Sequence, residues 1–264
     1  MLNKVYLADN IAVLKHITDA SVDLIYVDPP FNTKIVQKRT KDGPSYPDTF
    51  SDFLGFLQPR VEEIHRILKP TGSFYCHLDY REVHYAKVMI DQVFGRDNFL
   101  NEIIWAFDYG ARNKKKWSNK HNNILVYVKD INQYYFSYDE TDRLPYLAPG
   151  LCGPEKAAKG KTPTSAWSDI PDTDFWWHTI VSPNSKEKTG YPTQKPLDVL
   201  SRIIRASCPR GGLVVDIFAG SGTTGAAALT TGRNFLLADS NPEAFEIMKL
   251  RFKDNDVEFL ENAD

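Results

Sequence analysis

The segment Val22-Asp23-Leu24-Ile25-Tyr26-Val27 is almost continuously apolar. A strand with one face in water alternates apolar and polar side chains. This one has no polar face to offer, so both of its faces must be covered. The rest of the chain supplies the cover. Val5-Tyr6-Leu7 reads as a short strand, and the apolar residues from Ile11 to Ile17 recur at helical spacing. Ser51-Asp52 can cap a helix with Phe53, Phe56, Leu57, Val61, Ile64, Ile67 and Leu68 on one face. Pro59 predicts a kink or restart in that helix, and Lys69-Pro70-Thr71-Gly72 its end. Ser73 to Leu78 reads as a strand and Glu82 to Phe94 as a helix. Ile103-Ile104-Trp105 and Ile124 to Val128 read as strands around a basic segment. The rhythm returns with a helix over Leu197 to Ala206, a strand over Leu213 to Asp216 and a helix over Ser221 to Thr231. A strand over Phe235 to Asp239 and a helix over Glu243 to Phe252 follow. Alternating strands and helices specify an α/β fold, a doubly wound parallel sheet with helices on both faces.

Two stretches interrupt the rhythm. Residues 34–50 are polar, contain Gly43, Pro44 and Pro47, and read as a long mobile loop. Residues 131–190 are rich in proline, hold three of the five tryptophans and lack a long periodic run, so they read as an insertion with little regular structure. The expected organisation is one discontinuous domain from residues 1–130 and 191–264, split by the insertion 131–190. A length of 264 residues accommodates that. With 42% hydrophobic and 25% charged residues, disordered and fibrous classes are excluded. A net charge of −2 excludes a strongly basic tail protein, yet leaves a nucleic-acid partner open, because the local distribution of charge decides that. Cys76, Cys152 and Cys208 lie far apart, with neither disulfide nor zinc spacing, which predicts a reducing compartment and no metal. No apolar run approaches the roughly 20 residues of a membrane span. Met1-Leu2-Asn3-Lys4 opens no signal-peptide core, so a soluble cytoplasmic protein without a membrane partner is expected.

Two motifs fall at strand ends. Gly220-Ser221-Gly222-Thr223-Thr224-Gly225 follows the strand that ends at Asp216 and fits G-x-G-x-x-G, with Asp239 at the end of the next strand. Such glycines allow a tight turn and close backbone approach to a ligand, and the acid can accept from a ribose. Any adenosine-containing cofactor suits this geometry, dinucleotide or S-adenosylmethionine. The alternative is a turn that only packs strand against helix. The second motif is Asp28-Pro29-Pro30-Phe31. Two prolines fix φ and lack donors, so an acid, an outward carbonyl and an aromatic ring come together at a strand's carboxyl end. That set suits a planar group bearing an amine: two acceptors for its hydrogens and a ring for its face. The alternative is a Pro-Pro turn over a buried Phe. A dinucleotide enzyme has no use for the second motif, whereas an amino-group methyltransferase needs both.

At this point the sequence resembles the DNA adenine N6-methyltransferases of the permuted β class, which place the catalytic motif first, target recognition in the middle and the cofactor motif last. Asp28-Pro29-Pro30-Phe31 precedes the insertion and Phe218-Ala219-Gly220-Ser221-Gly222 follows it. Arg66 to Ser73, His121 to Lys129 and Tyr191-Pro192-Thr193-Gln194-Lys195-Pro196 also match the class in content and order. There are departures: Asp239 stands where the class usually has Glu, and Tyr191 where it often has His.

The resemblance implies a seven-stranded methyltransferase sheet, S-adenosylmethionine as cofactor and double-stranded DNA as partner. It leaves a homodimer and a companion restriction nuclease open. It further implies that Asp28 and the Pro29 carbonyl accept the amine hydrogens, with Pro30 completing the turn and Phe31 stacking on a flipped-out adenine. On the cofactor side it implies Asp9, Asp28, Thr193, Gln194, Lys195, Asp216, Phe218, Ala219, Gly220, Ser221, Gly222, Thr223, Asp239 and Ser240. Asp9 ends Leu7-Ala8-Asp9, the segment that best matches the strand near the cofactor adenine. For Lys195 the alternative is a surface lysine at a helix start.

The dense basic cluster Arg112, Lys114, Lys115, Lys116 and Lys120 with Trp117 reads as phosphate contact, or else as a solvated loop. Lys34, Lys38, Arg39 and Lys41 flank the catalytic motif, with Arg39 a further candidate for DNA. Lys156, Lys159 and Lys161 are candidates in the insertion, whose Trp167, Trp176 and Trp177 read as its small core. Competing readings are a cytosine N4-methyltransferase, for which Ser in place of Asp28 is more usual, and an RNA or protein-glutamine methyltransferase, usually with Asn there. A partner subunit without catalysis and a nicotinamide-dependent dehydrogenase complete the alternatives.

Overall fold

The computed structural model describes residues 3–38, 43–107, 112–167, 181 and 185–263. Its first half comprises β1 (Lys4–Leu7), α1 (Asn10–His16), β2 (Val22–Val27), β3 (Ile35–Lys38), β4 (Ser45–Asp48), α2 (Phe53–Ile67), β5 (Leu68–Leu78), α3 (Val83–Phe94), β6 (Phe99–Ala106) and β7 (His121–Val128). The second half comprises α4 (Pro154–Lys159), β8 (Ala166–Trp167), α5 (Leu197–Ser207), β9 (Leu213–Asp216), α6 (Thr223–Thr230), β10 (Asn234–Asp239), α7 (Pro242–Arg251) and β11 (Glu258–Leu260).

Among the described residues, nine strands form one sheet in the order β11-β1-β10-β9-β2-β5-β7-β6-β8. β1, β10, β9, β2 and β5 run parallel, and β7 is antiparallel to both β5 and β6. The expected seven strands are the inner seven. The two extra ones are short edges: β11, parallel to β1, and β8, which pairs with β6 through only Ala166 and Trp167. Val257-Glu258-Phe259-Leu260 reads from sequence as either an extra strand or a tail, and Glu258–Leu260 is the strand; the two residues of β8 carry too little periodicity to be read.

β2 is buried at every position, as its composition required. Its side chains alternate between the two core layers. Leu24 and Tyr26 pack with residues of α5, α6 and α7, and Ile25 and Val27 with residues of α1, α2 and α3. Pro59 interrupts neither end of α2, which runs through it. Residues 69–72 do not stop the chain but bulge within β5: Val22 faces Leu68, and Leu24 already faces Ser73.

Within the polar stretch 34–50, the described residues hold two strands. β3 and β4 pair as an antiparallel hairpin in the register Ile35 to Asp48, Val36 to Pro47, Gln37 to Tyr46 and Lys38 to Ser45. A two-stranded ribbon tolerates Pro47 and needs no apolar face of its own, which hid it from periodicity. The insertion lies against the sheet domain. Arg202 of α5 grips Asp142 from Nε at 3.0 Å, buried Arg233 holds Glu140 at 2.9 Å, and the Ser137 N–H donates to the Ala206 carbonyl at 2.7 Å. Trp167 joins the main core and not a separate one, with Arg202 4.9 Å above its ring. Trp176 and Trp177 lie outside the described residues.

Candidate active site

Because β1, β10, β9 and β2 are parallel neighbours, their carboxyl ends form one rim. Asp9 follows β1, Asp239 ends β10, Asp216 ends β9 and Asp28 follows β2. All four acids line a single cleft of about 450 Å³. The glycine turn and the Asp-Pro-Pro-Phe turn come from opposite ends of the chain, yet meet there on adjacent strands. Pro30, Thr193, Gln194, Lys195, Phe218, Ala219, Gly220, Ser221, Thr223 and Ser240 share the lining.

On the Asp28 side, Lys195 donates to Asp28 Oδ2, and both side chains are mostly buried. Asp28 Oδ1 is buried without a hydrogen-bond partner. Burial raises the Asp28 pKa, the Lys195 ammonium opposes that, and the nearby Asp48 charge adds to the rise. The same Lys195 nitrogen lies 5.3 Å from the centre of the Phe31 ring. Phe31 in turn rests on His77 at 5.8 Å. His77 is fully buried between the Tyr26 hydroxyl at 2.7 Å and Asn122 at 3.0 Å, and burial pushes its pKa down. The turn after Phe31 is clamped by Asp48, which accepts from the Asn32 N–H at 2.6 Å and from the Thr33 hydroxyl. Asn32 and Lys34 both adopt positive φ, 56° and 66°. The clamp offsets that strain, which Asn tolerates better than most residues.

On the glycine-turn side, every acid accepts a backbone N–H from the strand-end loops. Asp239 accepts from the Gly220 N–H at 2.8 Å and the Asn241 N–H at 2.9 Å. Asp216 accepts from the Phe218 N–H at 2.9 Å and the Thr224 hydroxyl at 2.5 Å. Asp9 caps α1 through the Ile11 N–H at 2.9 Å. Burial raises the Asp239 pKa and lifts Asp216 to about 7, with the Asp28 and Asp239 charges adding to the latter. The glycines divide their work. Gly220, at φ +49°, leaves no room for a Cβ beside Tyr191; Gly222, at φ +73°, meets Met248, and Gly225 meets Leu237. The packing role and the open turn therefore coexist.

Gln194 lines the cleft, but its amide is spent on its own loop, accepting from Thr189 and donating to the Glu187 carbonyl at 2.7 Å. Lys195 is no surface lysine: it reaches across to Asp28 instead of staying on the glycine-turn side. Sequence reasoning missed several residues of the wall. Asn10 donates to the Ile217 carbonyl at 3.2 Å and accepts from Arg60 at 2.7 Å, while Arg60 lies 3.8 Å over the Phe56 ring. Tyr46 stacks on Tyr191 at 6.2 Å. Asn10 was legible as the neighbour of Asp9, but Arg60 sits on an otherwise ordinary amphipathic helix.

Arg112, Lys114, Lys115, Lys116 and Trp117 occupy the connection from β6 to β7, which opens at the same rim, since β7 starts opposite the carboxyl end of β5. Trp117 is 96% exposed, and Lys116 lies 5.8 Å from the Tyr80 ring. Arg39 lies outside the described residues, as does Lys41. Lys156 and Lys161 both lie 5.9 Å from the Tyr146 ring. Among the described residues, no cluster of His, Cys, Asp and Glu could hold a metal ion, and no helix is long and apolar enough to cross a membrane.

Residues 22–250 match the DNA methylase family N6_N4_Mtase. The DNA adenine methyltransferase YhdJ of Escherichia coli (strain K12) is 32% identical over 240 residues, which span 89% of this chain and 77% of that protein. Among solved structures, the cytosine-N4-specific PvuII DNA methyltransferase superposes with a TM-score of 0.68 at 18% identity, covering 98% of this chain and 95% of that one. The M1.HpyAVI-SAM complex does so with 0.62 at 22% identity, covering 94% and 98%. Both likenesses establish the S-adenosylmethionine-dependent methyltransferase fold.

Proposed function

Because the chain belongs to the DNA methylase family, we propose that it methylates the N6 amine of an adenine flipped out of duplex DNA, with S-adenosylmethionine as donor. The observation that carries this reading is Asp28: a buried carboxylate with one oxygen on Lys195, the other unpartnered, beside an aromatic ring. An unpartnered buried acceptor is costly unless a ligand donor completes it.

The residues present fit the cofactor. Four carboxylates crowd one cleft, and burial raises the pKa of Asp28, Asp216 and Asp239. A cationic ligand relieves that crowding. When bound, S-adenosylmethionine supplies a methyl group on a cationic sulfur. Phe218, Ala219, Gly220, Ser221 and Gly222 would line its methionine part, Asp239 its ribose and Asp9 its adenine. Asp239 keeps spare lone pairs for this despite its two backbone donors.

Asp28 Oδ1 and the Pro29 carbonyl would accept the two hydrogens of the target amine. Those acceptors would draw the nitrogen lone pair, otherwise delocalised into the base, out toward the bound methyl donor; the methyl–sulfur bond would break as the methyl–nitrogen bond forms, and the amine would lose one proton to solvent. Lys195 opposes the burial-driven rise of the Asp28 pKa and fixes its other oxygen. Phe31 would stack on the extruded base. The basic connection between β6 and β7 would contact phosphates. Adenine is favoured over cytosine by Asp28 and by the 32% identity to an adenine methyltransferase. A companion restriction nuclease would cut the sequence protected here, and a homodimer would show in sedimentation.

The test is incubation with methyl-labelled S-adenosylmethionine and unmethylated DNA, followed by digestion to nucleosides. Label in N6-methyladenine is expected. Label in N4-methylcytosine would overturn the base, and unlabelled DNA would overturn the substrate.

A further inference from the structure

The β3–β4 hairpin touches both halves of the cleft. Tyr46 stacks nearly parallel on Tyr191, 12° between ring planes, and its hydroxyl lies 3.1 Å from that of Thr193. Tyr191 in turn covers Gly220, where a Cβ would approach its ring to 2.9 Å. The Ser45 N–H donates to Glu243 at 2.8 Å, and the Ser45 carbonyl accepts from Asn241 at 3.0 Å, next to the Asp239 loop. One end of β4 is therefore fastened to the glycine-turn half.

The other end is fastened to Asp28-Pro29-Pro30-Phe31. Asp48 accepts from Asn32, Thr33 and Gln37, and its own carbonyl accepts from the Lys34 N–H at 2.8 Å. Asn32 passes the clamp on, donating to Glu82 at 2.6 Å and accepting from the Phe50 N–H at 2.9 Å. Tyr46 and Asp48 are two residues apart on one strand, so they share a face about 7 Å apart at about 3.3 Å per residue. A strand that short moves as one piece. Both loops it fastens hold positive φ at non-glycine residues, Asn32 and Lys34 on one side and Thr193 at 57° on the other. Each depends on its clamps to stay in place.

We propose that Tyr46 is a positioning residue that ties occupancy of the glycine-turn half to the order of the Asp28–Phe31 turn, so that cofactor and DNA strengthen each other's binding. This rests on the function proposed above. The coupling is reciprocal by thermodynamic necessity. Tyr46 acts through the turn and touches neither reacting atom.

The experiment measures the affinity of the full chain for unmethylated duplex DNA, with and without saturating S-adenosylhomocysteine, in wild type, Tyr46→Phe and Tyr46→Ala. Wild type should bind DNA at least about 5-fold tighter with the cofactor product present. Tyr46→Ala should reduce that ratio below about 2-fold. Tyr46→Phe, which keeps the stack and loses the Thr193 bond, should fall between. Circular dichroism and melting check that each variant folds. A wild-type ratio near one, or a Tyr46→Ala ratio equal to wild type, would overturn the proposal. Absence of both DNA and S-adenosylhomocysteine binding in wild type would instead overturn the function beneath it.

Discussion

The two halves of the cleft use the same residue type in different ways. On the glycine-turn side, Asp9 and Asp216 accept hydrogen bonds from their own loops, and Asp239 from its own loop and from the neighbouring glycine turn. On the other side, Asp28 gives one oxygen to Lys195, from 167 residues away in sequence, and keeps the other free. Acids of the first kind shape a loop, and their spare lone pairs serve a ligand only secondarily. Asp28 shapes nothing locally, so its acceptor capacity is available for chemistry. What sets Asp28 apart from the scaffolding acids is the state of its lone pairs, not its burial.

The comparison breaks most visibly at Asp28 itself. Asp28→Ala should reduce single-turnover methyl transfer by about 10²–10³-fold or more, since it removes the acceptor aimed at the developing charge. Next comes its partner. Lys195→Met removes the cation that opposes burial, so the Asp28 pKa should climb further. Activity needs the ionised form and is lost as pH falls through that pKa. The acidic limb of the rate profile should therefore move up by about 1–3 pH units. An unmoved limb would show that Lys195 does not tune Asp28. Phe31→Ala should weaken productive DNA binding by about 1–3 kcal/mol, seen as a raised KM for DNA with unchanged affinity for S-adenosylhomocysteine.

The smallest effect tests the scaffolding side. Asp216 has its pKa raised by burial to about 7, above the ordinary carboxylate value. The folded state therefore holds that proton more tightly than the unfolded one. Its contribution to stability is fully present at low pH and is lost as pH rises from about 4 to about 7. Asp216→Asn should flatten the fall in Tm across that window. An equal fall in both proteins would exclude Asp216 as the cause.

Much of this was legible in the sequence. The inner seven strands follow from apolar runs, and β2 matched its predicted limits because its apolar run is bounded by the polar residues Ser21 and Asp28. The meeting of Asp28 with the glycine turn was an expectation of the resemblance, whose permuted order brings both motifs to neighbouring strand ends. The β3–β4 hairpin was not legible: it is held by Asp48 within β4 and by Asn241 and Glu243 from outside the ribbon, and it has no apolar face to betray it. Nor was the bond from Lys195 to Asp28, because a lysine at a helix start says nothing of where its four-carbon stem reaches. Gln194 lines the cleft, as the resemblance implied. Its place beside Lys195 suggested a ligand, while its amide braces Thr189 and Glu187.

The central claim is that Asp28 serves the reaction and Asp239 the cofactor. The most direct measurement compares Asp28→Asn with Asp239→Asn, each by single-turnover methyl transfer at saturating S-adenosylmethionine and by affinity for S-adenosylhomocysteine. The account predicts that Asp28→Asn loses rate and keeps affinity, while Asp239→Asn loses affinity and keeps most of its rate at saturation. The reverse pattern, or equal losses of both quantities in both variants, would contradict it.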